Sequence, residues 1–163
     1  MRAIVAYESR YGNTAEVAES IAQGFRTFGP VQLVALSGDT ILNLEGEGLV
    51  VVGGPTEGHG PSPTLKAALG RLPDGALSGV LVAAFDTRFR WPELLTGSAA
   101  KAIAAMLEQK GGVLIATPES FFIRGKQPGL IEGELDRANE WARGLVTRLP
   151  GMIRPERAEA LRL

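Results

Sequence analysis

The run Arg2-Ala3-Ile4-Val5-Ala6-Tyr7-Glu8-Ser9-Arg10-Tyr11-Gly12-Asn13-Thr14 decides how the rest of the chain is read. Arg2 to Tyr7 is an apolar stretch that predicts a buried strand. Ser9 to Asn13 is polar and contains a glycine, which predicts a loop. From Thr14 onward, Ala15, Val17, Ala18, Ile21, Ala22 and Phe25 recur on one helical face until Gly29-Pro30 stops the pattern. The opening is therefore strand, polar loop, helix. The loop brings hydroxyls at Ser9, Tyr11 and Thr14, the amide of Asn13, and backbone N–H groups at a helix N-terminus. Free N–H groups and the helix dipole together attract a phosphate there. Gly12 allows the backbone to turn tightly around an anion. The plainer alternative is an ordinary strand–helix connection with Thr14 as helix N-cap. No Gly-Lys-Ser/Thr closes the loop, so it is not a Walker A loop, and it is not a GxGxxG fingerprint.

The same alternation continues outward. Strands are predicted at Val31–Leu36, Leu49–Val52, Val80–Phe85 and Val113–Thr117, the last resuming at Phe121–Ile123. Helices are predicted at Thr64–Leu72, Gly97–Gln109 and Glu132–Leu149. The connections Gly53–Pro63 and Asp86–Leu95 are long and polar. Five apolar strands alternating with helices predict an α/β, three-layer αβα sandwich around a five-stranded parallel sheet. One domain over residues 1–149, followed by a tail 150–163, is expected. Ligands of such sheets bind beyond the carboxyl ends of the strands. Attention therefore falls on Glu8–Thr14, Gly53–Pro63 and Phe85–Thr96.

Composition narrows the function classes. The 163 residues carry 17 basic and 18 acidic side chains, a net charge of −1, and this balance gives no general footprint for nucleic acid. Cysteine is absent, which removes disulfides, thiolate metal sites, Cys nucleophiles and Cys-ligated iron–sulfur clusters. The single histidine, His59, cannot form a His-rich metal site. The apolar run Ala3 to Tyr7 is too short for a signal-peptide core, and no run approaches a membrane span, so a cytoplasmic protein without a membrane partner is expected.

The loop Ser9-Arg10-Tyr11-Gly12-Asn13-Thr14 resembles the phosphate loop of the flavodoxin family, which runs roughly Thr/Ser-x-Thr-Gly-x-Thr. Gly53-Gly54-Pro55-Thr56 is similar to that family's next flavin loop, often Gly-x-Pro-Thr. Phe121-Phe122-Ile123 and Gly133-Glu134-Leu135-Asp136-Arg137-Ala138 resemble its closing segment. The resemblance implies a flavodoxin-like fold with strand order 2-1-3-4-5 and FMN as cofactor. It implies Ser9, Arg10, Tyr11, Gly12, Asn13 and Thr14 around the FMN phosphate. Pro55, Thr56, Glu57 and Gly58 would run beside the isoalloxazine ring, with Gly58 or the Glu57–Gly58 bond as the peptide that flips toward N5. Asp86, Thr87, Arg88, Phe89 and Trp91 would cover the ring's other side. Tyr11 stands where the family has Thr or Ser, and Gly53–Pro63 holds no aromatic side chain other than His59.

The expected function is electron transfer through bound FMN to a redox partner protein. The alternatives are a small FMN-dependent reductase of the quinone-reductase type, and a flavodoxin-like module without FMN that binds a ligand or a protein. No catalytic acid or base and no metal ligands are assigned. The remaining side chains have structural readings: His59 exposed, Arg88 and Arg90 solvated, Trp141 packed in its helix, and Asp86 either a cap or a contact to the ribityl chain.

Overall fold

The structure is a computed structural model that describes residues 1–126 and 129–149. The expected tail 150–163 lies outside the described residues. Strands β1 (Ala3–Tyr7), β2 (Val31–Ala35), β3 (Leu49–Pro55), β4 (Leu81–Phe89), β5 (Val113–Leu114) and β6 (Glu119–Ile123) form one parallel sheet. Its order is β2-β1-β3-β4-β5, with β6 also paired to β4. This is the expected 2-1-3-4-5 arrangement. Helices α1 (Asn13–Arg26), α2 (Pro63–Gly70), α3 (Glu93–Thr96), α4 (Ala99–Gln109) and α5 (Glu134–Val146) connect and cover the strands.

Alternation along the central strands builds two cores. Val5, Val51, Ala83 and Phe85 point to one face, where α1 and α5 bring Val17, Ile21, Phe25, Ala138, Ala142 and Leu145. Ile4, Val50, Val52, Val82 and Ala84 point to the other, against Leu65 and Leu69 of α2 and Ile103 and Leu107 of α4. The unbroken apolarity of Leu49–Val52 follows from burial on both faces. Trp141 meets Phe85 and Phe121 edge-on, with centroids 6.4 and 5.9 Å away, as expected for a packing residue.

Three strands differ from expectation, and all three differences bear on the site. β3 runs three residues past the expected Val52, to Pro55, so Gly53, Gly54 and Pro55 belong to the sheet rather than to the loop. β4 does not end at Phe85 but runs on to Phe89, so Asp86, Thr87, Arg88 and Phe89 belong to a strand rather than a loop. The extension has partners on both sides: Gly54 and Pro55 stand in register with Asp86 and Thr87, and Ser120 to Ile123 with Asp86 to Phe89. The expected fifth strand is divided. β5 leaves β4 after the Ile115 N–H bonds Val82, and β6 rejoins it at Glu119, one residue beyond Pro118, which has no N–H to give a ladder.

Candidate functional site

The carboxyl ends of β1, β3 and β4 bring the three singled-out segments together. At the first, α1 begins one residue earlier than expected, and its cap position is Gly12, with φ of 94°. That left-handed conformation is cheap only for glycine. Thr14 is not the cap. The capping oxygen comes from Ser9, whose Oγ accepts from the N–H groups of Gly12 (3.1 Å) and Ala15 (3.2 Å). Having accepted twice, the Ser9 hydroxyl still holds its own proton to donate. Among the described residues, the N–H groups of Arg10, Tyr11, Asn13 and Thr14 donate to no protein acceptor.

Thr14 is buried and places its Oγ1 2.8 Å from Thr87 Oγ1. One hydroxyl of the pair donates to the other, which leaves the second proton uncommitted. Asn13, also buried, reaches the opposite way. Its Nδ2 donates to the carbonyls of Gly125 (3.3 Å) and Lys126 (2.9 Å), and its Oδ1 accepts from the Gly129 N–H (3.2 Å). The Asn13 amide is thus a latch for the loop after β6. The Tyr11 ring is exposed, and the charges of Arg10 and Lys126 sit 5.6 and 5.3 Å from its centre.

The segment after β3 forms a tight hairpin turn. The N–H of Glu57 donates to the Gly60 carbonyl (2.7 Å), and the Gly60 N–H returns a bond to Glu57 (3.1 Å). Gly58 and His59 between them have φ of 54° and 73°. Two positive φ values in a two-residue loop define a type I′ turn, which suits Gly at the first place and strains a histidine at the second. Arg10 Nη1 lies 3.4 Å from Glu57 Oε1, an ion pair that joins the first loop to this turn. His59 is exposed, as expected.

Asp86 ties the turn to α4. Its side chain is fully buried, and Oδ2 accepts from Thr56 Oγ1 (3.2 Å), Ser98 Oγ (2.8 Å) and the Ala100 N–H (3.0 Å). Thr56 Oγ1 in turn accepts from the Ala99 N–H at 2.9 Å. Asp86 Oδ2 is thus a helix cap. Asp86 Oδ1 is buried and has no partner among the described residues. Arg88 departs from the solvated reading. Its Nε donates to Ser120 Oγ (3.0 Å), and its Nη1 donates to the Trp91 carbonyl (2.9 Å) and Thr96 Oγ1 (3.1 Å). It therefore folds the 91–96 segment back onto β4. Beyond it, the rings of Phe89 and Trp91 stack on one another, centroids 5.2 Å apart and planes at 21°.

Sequence reasoning passed over Glu8 and Ser62, whose side chains bond each other beside Gly54 while Ser62 caps α2 through the Leu65 N–H at 3.1 Å. The Ser-Pro pair at residues 62–63 is the signal that could have found this cap. Glu134 was noted only within the closing segment. It accepts from the Phe122 N–H (2.7 Å) and from Arg137, locking α5 to β6. Burial works to raise its carboxyl, but the Arg137 hydrogen bond and the Phe122 N–H outweigh this and hold it below the ordinary 4.5.

A flavodoxin family profile matches residues 5–141. This chain belongs to the flavodoxin family. The family carries a flavin and works in electron transfer. Solved flavodoxins share the fold. Oxidised flavodoxin 2 from Bacillus cereus superposes with a TM-score of 0.77 at 20% identity, covering 91% of this chain and 100% of that one. Flavodoxin 1 from the same organism gives 0.76 at 17%, covering 91% and 99%. A flavodoxin, WrbA-like protein from Agrobacterium tumefaciens gives 0.70 at 19%, covering 88% and 94%. No match is found among curated proteins. Among the described residues no helix is long and apolar enough to cross a membrane, and no group of three or more His, Asp or Glu is placed to hold a metal ion.

Proposed function

We propose that this flavodoxin binds FMN at the carboxyl edge of its sheet and passes electrons from it to a partner protein. The observation that carries the reading is the donor set at the start of α1. Four N–H groups without an acceptor among the described residues, the Ser9 hydroxyl proton and the spare proton of the Thr14–Thr87 pair lie at one helix N-terminus. That set fits a phosphate dianion. Arg10 and Lys126 beside Tyr11 add positive charge to the same corner.

When bound, FMN supplies one- and two-electron redox chemistry. The chain's own part is to hold and tune it. Ser9 to Thr14 would grip the phosphate, by backbone and hydroxyl rather than by the Asn13 amide or the Tyr11 ring. Pro55 to Gly58 would border the ring on one side and Phe89 with Trp91 on the other. Turning the Gly58–His59 peptide converts a type I′ turn to type II′ and brings His59 to a negative φ, which relieves its strain. Gly58 alone permits both forms, so the Gly58 carbonyl is the acceptor we assign to a proton on flavin N5. The deciding experiment is titration of the purified protein with FMN and with riboflavin, read by visible absorbance and flavin fluorescence. Tight FMN binding with weak riboflavin binding supports the reading. No binding of either leaves the flavin-free interaction module as the function.

A further inference from the structure

Asp86 carries a charge that the fold answers only in part. It is fully buried at the carboxyl end of β4, and among the described residues no basic nitrogen lies within 4.0 Å of its carboxylate. Oδ2 is well supplied, by the Thr56 and Ser98 hydroxyls and the Ala100 N–H. Oδ1 is closed off from solvent and has no donor among the described residues. The N-terminus of α4 offers about half a positive charge, and the hydroxyl dipoles add to it. A carboxylate with one bare oxygen still keeps part of its negative charge.

Its place makes that charge consequential. Asp86 stands in register with Gly54, and from this pair β3 and β4 lead into the two segments proposed to border the flavin ring. Thr56 of the first segment bonds Asp86 directly. Phe89 of the second is three residues further along β4, about 10 Å of extended chain. Protein atoms enclose Oδ1, so Asp86 reaches the site through its field and not by contact. The other acids of the bordering segments have cation partners: Glu57 pairs with Arg10 and Glu93 with Lys101. Arg90 and His59 are exposed, where water and salt screen them. Arg88 lies two residues on from Asp86, with its guanidinium bonded to Ser120, Thr96 and the Trp91 carbonyl. It offsets some of the field, but it stays in place when Asp86 is changed, so the sign of that change is Asp86's own.

We infer that Asp86 sets the reduction potential of the bound flavin, its buried charge disfavouring negative charge on the ring and so holding the potential low. The inference rests on the proposed FMN site for the group acted on, and on the burial and bonding above for the charge. An electron added without its proton leaves negative charge on the ring. A buried carboxylate meets that charge through a medium that screens far less than water does.

The test is a spectroelectrochemical titration, at neutral pH, of the FMN-loaded protein and of two variants, Asp86→Asn and Ser98→Ala. Asp86→Asn removes the charge and keeps an acceptor oxygen for α4. Its affinity for reduced relative to oxidised FMN should rise at least about tenfold, a two-electron potential about 30 mV higher. Ser98→Ala loosens the same α4 contact but leaves the carboxylate in place with one donor fewer. Its potential should move the other way, by about a two- to threefold change in that affinity ratio. A purely structural Asp86 would shift both variants in the same direction. A smaller rise in Asp86→Asn, or shifts of one sign in both variants, would overturn the inference. Should Asp86→Asn not fold, Ser98→Ala decides: a lower potential supports the inference, and an unchanged or higher one overturns it. Visible absorbance reports FMN occupancy before any potential is read. Protein that takes up no FMN overturns the proposed site and this inference with it, whereas bound FMN with a potential indifferent to Asp86 overturns this inference alone.

Discussion

Thr14 on α1 and Thr87 on β4 share a buried hydrogen bond, their Oγ1 atoms 2.8 Å apart. The bond pins the start of the helix to the sheet beside the loop proposed to hold the phosphate. Replacing Thr14 by Val removes one hydroxyl and strands the other in a buried position. The apoprotein should lose about 1–3 kcal/mol in urea unfolding. FMN affinity should fall roughly tenfold, while the weak affinity for riboflavin, which lacks the phosphate, should barely change. An equal drop for both flavins would remove the phosphate from this loop.

Asp86 makes the corresponding connection on the other face, gathering Thr56, Ser98 and Ala100 on one carboxylate oxygen. Asp86→Ala leaves the buried Ala100 N–H and the half-buried Thr56 and Ser98 hydroxyls without this acceptor and should cost about 2–4 kcal/mol. Asp86→Asn keeps an oxygen for them and can turn its amide toward the unpartnered Oδ1 position, so it should cost clearly less. Chemical unfolding of the two variants checks this ordering. Equal losses would mean that the charge, and not the acceptor geometry, is what α4 needs.

The turn at Gly58 is the test of backbone freedom. A Cβ there meets no atom within 4 Å, so the cost of Gly58→Ala is conformational alone, φ being 54°. We expect a loss of about 1 kcal/mol in thermal unfolding. Alanine also resists the type II′ form, so the first one-electron potential of the bound flavin should move negative, by an amount on the order of tens of millivolts against about 60 mV for a tenfold change. An unchanged potential would place the N5 acceptor elsewhere.

Much of this arrangement can be read from the residues, and what cannot has a physical cause. The apolar runs at Ala3–Tyr7 and Leu49–Val52 identify central strands because burial on both faces leaves no polar position. Asp86-Thr87-Arg88 reads as loop because it is polar, yet each side chain has a partner that only the tertiary fold supplies: α4 for Asp86, α1 for Thr87, and Ser120 with Thr96 for Arg88. Thr14 reads as a cap from its place before an apolar helical face. The local order Ser9 to Gly12 lets a more distant hydroxyl do that work. Asn13 reads as a phosphate ligand because its latch lies 112 to 116 residues further along the chain.

Acid should loosen the contact between α5 and β6. The Glu134 carboxyl is held below its ordinary value, so its ionised form stabilises the fold above about pH 4.5 and that contribution is lost as pH falls through the lowered folded value. Glu134→Gln should therefore cost about 1–2 kcal/mol at neutral pH and little in strong acid. Stability curves of the two proteins should converge as pH falls below that lowered folded value. A constant difference at every pH would show that packing, not charge, joins Glu134 to Arg137 and the Phe122 N–H.

Phe89 and Trp91 carry the last prediction. Were they anchors for the loop, they would be buried against α4, but they are 40% and 61% exposed and stack on each other. The loop is held instead by the Arg88 guanidinium on the Trp91 carbonyl and Thr96, bonds that survive truncation of either ring. Removing one ring should thus cost the apoprotein no more than the pair's own stacking, about 0.5–1.5 kcal/mol. The segment after β3 offers no Phe, Tyr or Trp between Gly53 and Pro63, so under the proposed function this pair would supply the aromatic contact to the flavin. Phe89→Ala and Trp91→Ala should each weaken FMN about three- to tenfold and shift its visible bands, the larger effect marking the ring in contact. FMN affinity that stays constant in both single variants and in the double variant would take this loop out of the site.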